Sequence, residues 1–143
     1  MNRRSAIIVA LVTFIARAPL LAAAEPRKPG AELQHAEYFS VWGWGYAGIE
    51  TTNEKTFRAF MQHKPAAEDA LRLISEGTPA AKTYGFLALK KLSPESFAKS
   101  APRYFRDRTG VSIRCGCSPS TESLGTLVRG IADGKIVLRK QRE

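Results

Sequence analysis

Cysteine, histidine and methionine are scarce, with two of each in a chain of 143 residues. So few cysteines exclude a disulfide-dense secreted scaffold. The histidines, His35 and His63, stand alone near segment ends and read as surface residues rather than ligands. The G-x-S-x-G elbow and the H-E-x-x-H metal helix are both missing,. Glu68-Asp69 is accounted for by Arg72, three and four residues on, as pairing along a helix surface,. No catalytic residue, metal ligand or cofactor is assigned from this inventory, and the chain leans away from an enzyme. Acids are also few, 13 against 22 lysines and arginines, giving a formal charge of +9.

Long apolar runs are confined to the start of the chain. Arg3 and Arg4 precede an apolar run from Ala6 to Ala16, Pro19 breaks it, and Ala22-Ala23-Ala24 supplies small residues. Basic, apolar and small in that order is the layout of a secretory signal peptide, here residues 1–24. Cleavage would leave a chain beginning at Glu25, exported to the periplasm or beyond, with no membrane span. The alternative is an uncleaved anchor. A span needs about 20 mostly apolar residues, so Ser5 to Ala24 would have to take in Arg17 and Pro19.

The remainder has the size of one domain. Loss of three arginines and no acid lowers the charge from +9 to +6. That excess suits loose attraction to anionic surfaces and is thin ground for nucleic acid. Residues 25–36, with Pro26, Pro29 and Gly30, read as a flexible leader, and residues 37–143 as a single helical domain,.

Helix starts dominate the middle of the chain. Thr51 and Glu54 form a candidate capping box, and Phe57, Phe60 and Met61 follow at helical spacing,. Lys64-Pro65, Thr78-Pro79 and Ser93-Pro94 each read as a cap with proline at the first helical position,. Ala66, Ala67, Ala70, Leu71, Leu73 and Ile74 share a face, and Gly77 reads as a left-handed cap,. Tyr84 to Leu89 holds no charge, which marks a central helix, and Gly85 within it implies close approach of a neighbouring backbone,. A carboxylate at Leu87 is therefore expected to prevent folding. Phe97, Ala101, Tyr104 and Phe105 face inward with a break at Pro102, and a last helix carries Leu124, Leu127, Val128 and Ile131,. The segments share no repeat beyond their prolines, so a solenoid is excluded.

Tyr38–Ala47, Val111–Cys115 and Ile136–Leu138 favour strand,. The fold expected is mainly α: a compact bundle of about four to five short helices with a small β element of two or three short strands.

Three motifs carry potential chemistry. Gly43, Gly45 and Gly48 match G-x-G-x-x-G, but the next helix starts several residues late and no second parallel strand follows,. Trp44 and Tyr46 are expected to pack over backbone that these glycines leave open. Cys115-Gly116-Cys117 is sharper. Ser118-Pro119 reads as the start of the last helix, which would set Cys117 at a positive helix end beside Arg114,. Cys115 and Cys117 could bond to each other through a tight turn at Gly116, exchange with other thiols, or hold a soft ion such as Cu(I). Finally, Arg103, Arg106 and Arg108 interleave with Tyr104 and Phe105, and Arg139-Lys140-Gln141-Arg142 closes the chain. Solvated arginines over core-facing aromatics are the simpler account, against a nucleic-acid platform.

Trp44–Gly48, the segment Thr78–Leu89 and the later Gly116-Cys117 resemble a group of small exported bacterial proteins with no characterised function. The resemblance covers most of the chain after residue 24. In that group the helix often carries a cysteine that could pair with the later Gly-Cys. Leu87 stands at the equivalent place here, and Cys115 is present instead. What the resemblance implies is export and a helical domain. The function expected is a non-enzymatic envelope or secreted binding module for a protein or envelope partner. The alternative is a small thiol-redox or soft-metal protein built on Cys115 and Cys117.

Overall fold

Tyr84 to Leu89 lies at the centre of the protein, every residue buried. The computed structural model describes residues 30–138. The expected signal peptide, the first part of the leader and the basic tail from Arg139 lie outside them. Helix α3, Pro79–Leu92, carries the uncharged run, with Thr78 as its cap accepting from the Ala81 N–H and Pro79 at its first position. Its chief neighbour is α2, Ala67–Glu76, which buries Ala70, Leu73 and Ile74. A Cβ on Gly85 would lie 2.8 Å from Ile74 Cγ1 and 2.9 Å from the Ala70 carbonyl oxygen. The glycine thus offsets its poor helix propensity by letting two helices approach.

Helix α1, Thr52–Gln62, starts at the Thr51 cap and sends Phe57 and Phe60 inward. Phe57 lies 5.0 Å from the Tyr84 ring, which itself lies 4.8 Å from Phe39. Helix α4, Pro94–Ser100, follows a Ser93 cap and gives way to a 3-10 turn, Ala101–Tyr104, that contains Pro102. Helix α5, Leu124–Ala132, closes the core with Leu124, Leu127, Val128 and Ile131. These five helices and one two-stranded antiparallel sheet make a mainly α fold with a small β element. No helix among the described residues is long and apolar enough to cross a membrane.

Several local expectations need correction. The leader is shorter than residues 25–36, because Leu33 and Ala36 are buried and Leu33–His35 forms a 3-10 turn. Lys64-Pro65 does not start α2. Lys64 has φ +50°, and the helix begins two residues later, where the Ala66 N–H donates to Asp69 Oδ2. Gly77 is extended, not left-handed. Its missing Cβ makes room for the Leu73 carbonyl and the Ala81 Cβ, each 2.5 Å from where one would sit. Ile136–Leu138 is not a strand; Ile136 folds against Gly130.

The largest correction concerns the β element. Strand β1, Gly110–Cys115, alternates as expected, burying Val111 and Ile113. Its antiparallel partner β2 is Ser118–Ser123, the segment that reads as a helix start. Pairing runs from Gly110↔Ser123 to Cys115↔Ser118, so Gly116 and Cys117 form a two-residue turn, with Gly116 at φ +60°. That reversal holds Ser118-Pro119 in the ladder, and Ser123 caps α5 instead, its hydroxyl accepting from the Thr126 N–H. Residues 38–47 contribute single bridges rather than a strand: Phe39 to Ile113 and Trp44 to Gly116.

Candidate functional site

The hairpin tip and the glycine loop meet at one end of the molecule. Trp44 and Ile49 exchange backbone hydrogen bonds of 2.7 and 2.9 Å, which closes residues 45–48 into a loop. Within it the Gly48 N–H donates to the Gly45 carbonyl at 3.1 Å. The Gly45 N–H then donates to the Gly116 carbonyl at 2.6 Å, joining the loop to the cysteine turn. Gly43, Gly45 and Gly48 all have positive φ, between +60° and +80°, which explains three glycines in six residues without a nucleotide,.

A buried acid fixes the near end of this loop. Glu54 is 2 % exposed, and its Oε2 accepts from the Gly43 N–H at 3.2 Å. The expected cap is made from Thr51, whose hydroxyl accepts from the Glu54 N–H. The Glu54 carboxylate, by contrast, reaches across to the loop. Burial raises its pKa above the ordinary 4.5, and neighbouring Glu50 adds to the rise. The Gly43 and Thr51 N–H groups and Arg58 oppose it without reversing it. The folded protein therefore holds this proton more tightly than the unfolded chain does. The contribution of Glu54 to stability falls as pH rises from the ordinary carboxylate value through the raised one,. Glu54→Gln keeps an acceptor for Gly43 and removes the charge. In urea titrations it should match the parent near about pH 4 and exceed it at neutral pH.

The opposite end of the same segment is tied to the core. The Tyr84 hydroxyl donates to the Ser40 carbonyl at 2.9 Å and accepts from the Ser40 N–H at 3.0 Å. Burial pushes the Tyr84 phenol pKa up, so it stays neutral at any working pH.

Exposed on this fixed frame are Tyr46 (101 %), Ala47, Ile49 (67 %), Arg114, Cys115 and Cys117. Tyr46 therefore does not pack over the glycine backbone; it projects into solvent. The Arg114 guanidinium lies 3.9 Å from the Tyr38 ring centroid and 5.7 Å from that of Trp44, a cation–π arrangement,. Sequence alone singles out Trp44, Tyr46 and the cysteines. It misses Arg114 as an aromatic-held cation and Glu54 as the loop anchor, because both depend on contacts across sequence.

Cys115 and Cys117 are free and exposed thiols. Cys117 does not sit at a helix start, since α5 begins at Leu124. With neither sulfur buried, replacing both with serine should move the unfolding free energy by less than about 0.5 kcal/mol, as for ordinary surface changes. His35 and His63 are both exposed. Arg103, Arg106 and Arg108 are exposed while Tyr104 and Phe105 pack on the core, Tyr104 edge-on to Phe86 at 4.9 Å. Both rings are half-buried against the core. Comparison of the chain with protein-family models, curated proteins and solved structures finds no match.

Proposed function

We propose that the protein is an exported, non-enzymatic binding module that engages a protein or envelope partner through the surface around Tyr46. One observation carries this reading. A fully exposed tyrosine stands on a loop whose backbone is held at Gly43, Trp44, Gly45, Gly48 and Ile49. A loop whose backbone is already held in the free protein loses little conformational freedom on binding, and tyrosine is enriched among interface hot spots. Ile49 adds apolar area and Arg114 a cation. The order of residues in the first 24 positions supports export, as does the resemblance to small exported proteins,.

The test is a photo-cross-linking side chain at position 46 in living cells, with exposed Lys99 on α4 as the control position. A discrete adduct from position 46 and none from position 99 is the expected result. Equal labelling at both, or none at either, would defeat the assignment. Intact mass of the recovered protein should begin at Glu25; recovery of the full-length chain only in detergent-extracted membranes would establish an anchor.

The exposed pair Cys115, at the end of β1, and Cys117, in the turn that follows, favours a second reading, a thiol-redox or soft-metal protein. In exchange, one thiolate would attack a partner's disulfide and the second would then displace the partner's sulfur, leaving the partner reduced and the turn oxidised. Free-thiol titration and Cu(I) competition on the parent and the double serine variant test it. Absence of both activities in the parent ends this reading.

A further inference from the structure

An apolar cavity of about 360 Å³ lies between α1, α3 and the segment that follows α5. Its walls are Phe57 and Met61 of α1, Leu87 of α3, and Ile136, Val137 and Leu138. Two ammonium groups stand with them, Lys90 and Lys91, and among the described residues no acid does. The volume falls within the range of small-molecule sites, and an apolar lining with few polar groups is their usual composition.

The two lysines are not equivalent. Lys90 Nζ donates to the carbonyls of Ile131 and, at 2.9 Å, of Ala132, so it is occupied in closing the end of α5. Lys91 is exposed and has no ion-pair partner among the described residues. An uncommitted cation beside an apolar hollow fits a ligand with one anionic end and one hydrocarbon chain. The hollow has the scale of a single short chain, which disfavours a two-chain phospholipid.

We propose that this cavity binds a medium-chain fatty carboxylate, with the hydrocarbon against Phe57, Met61, Leu87 and Ile136 and the carboxylate at Lys91. The site shares no residue with the surface around Tyr46, so either assignment can fail without the other. Binding is governed by chain length and by charge, and the two are separable. Each methylene taken from water into an apolar site changes affinity about fourfold, whereas an exposed ion pair contributes roughly three- to fivefold.

The experiment is calorimetric titration of the protein, as recovered from expressing cells, with dodecanoate, decanoate and undecanol below their aggregation concentrations. Saturable one-to-one binding of dodecanoate is expected, with decanoate roughly fifteenfold weaker, for two methylenes. Undecanol, whose eleven alkyl carbons match those of dodecanoate, should bind about three- to fivefold more weakly than dodecanoate. Lys91→Glu should impose at least that loss on dodecanoate and leave undecanol unchanged. Leu87→Trp fills the hollow and should weaken both ligands. If its thermal unfolding shows a damaged fold, Met61→Trp, at a half-buried wall position, replaces it. All variants share the same N-terminal segment, so any uptake by that segment is common to them. No saturable binding overturns the proposal. Equal affinity for undecanol and dodecanoate, or indifference to Lys91→Glu, overturns the carboxylate assignment. Indifference to filling the hollow overturns the site.

Discussion

Leu89→Asp is expected to leave the chain unfolded at neutral pH, seen as loss of near-ultraviolet circular dichroism and of a cooperative thermal transition. Leu89 is fully buried in α3, the helix that packs against α2, α4 and α5. A carboxylate there has no cation among the core residues, which are almost wholly apolar. Burying an unpaired charge costs several kcal/mol, comparable to the whole stability of a small domain. Leu87 is the weaker place for this test, although it occupies the middle of the uncharged run. It is 9 % exposed and lines the cavity with Lys90 and Lys91, so an aspartate there would meet water and two cations. Leu87→Asp should therefore cost clearly less than Leu89→Asp. Equal unfolding by both would mean that the cavity is closed to water.

The contrast between neighbouring leucines shows what could be read from sequence and what could not. Helices were legible where a cap and an apolar period agree, as at Thr51, Thr78 and Ser93. The close approach demanded by Gly85 was legible too, because a helix tolerates glycine at its centre only with a packing reason,. Strand β2 was not. Ser118–Ser123 is exposed at nearly every position, so it carries no apolar alternation, and Ser118-Pro119 is as good a helix start as it is a strand. What decides between them is the reversal at Gly116 and six cross-strand pairs with β1. Of the candidate site, the residue types were visible but not their joint placement. Nothing local links Gly45 to Gly116, Glu54 to Gly43, or Arg114 to Tyr38. Each is a contact between segments, fixed only once the core has formed.

Gly43→Val should separate the loop from the fold. Gly43 has φ +80°, where a β-branched residue is strained by about 1–3 kcal/mol,. A Cβ there would lie 2.4 Å from the Gly48 carbonyl oxygen and 2.6 Å from its carbon. Both are backbone atoms, held by the Trp44–Ile49 pair, so no flexible side chain can swing aside. Relief requires breaking that pair, and with it the register that brings Gly45 to Gly116. The Gly43 N–H would also leave the Glu54 carboxylate, uncovering a buried acid. A total loss of roughly 2–4 kcal/mol follows from strain and overpacking together, large for a loop position. The helical core does not depend on this loop, so far-ultraviolet circular dichroism should stay near that of the parent. Amide exchange should accelerate at Trp44, Gly45 and Ile49. Cross-linking from position 46 should disappear in the same variant, because the tyrosine would remain exposed but no longer be held. Retention of the adduct would show that the partner recognises the side chain without its frame.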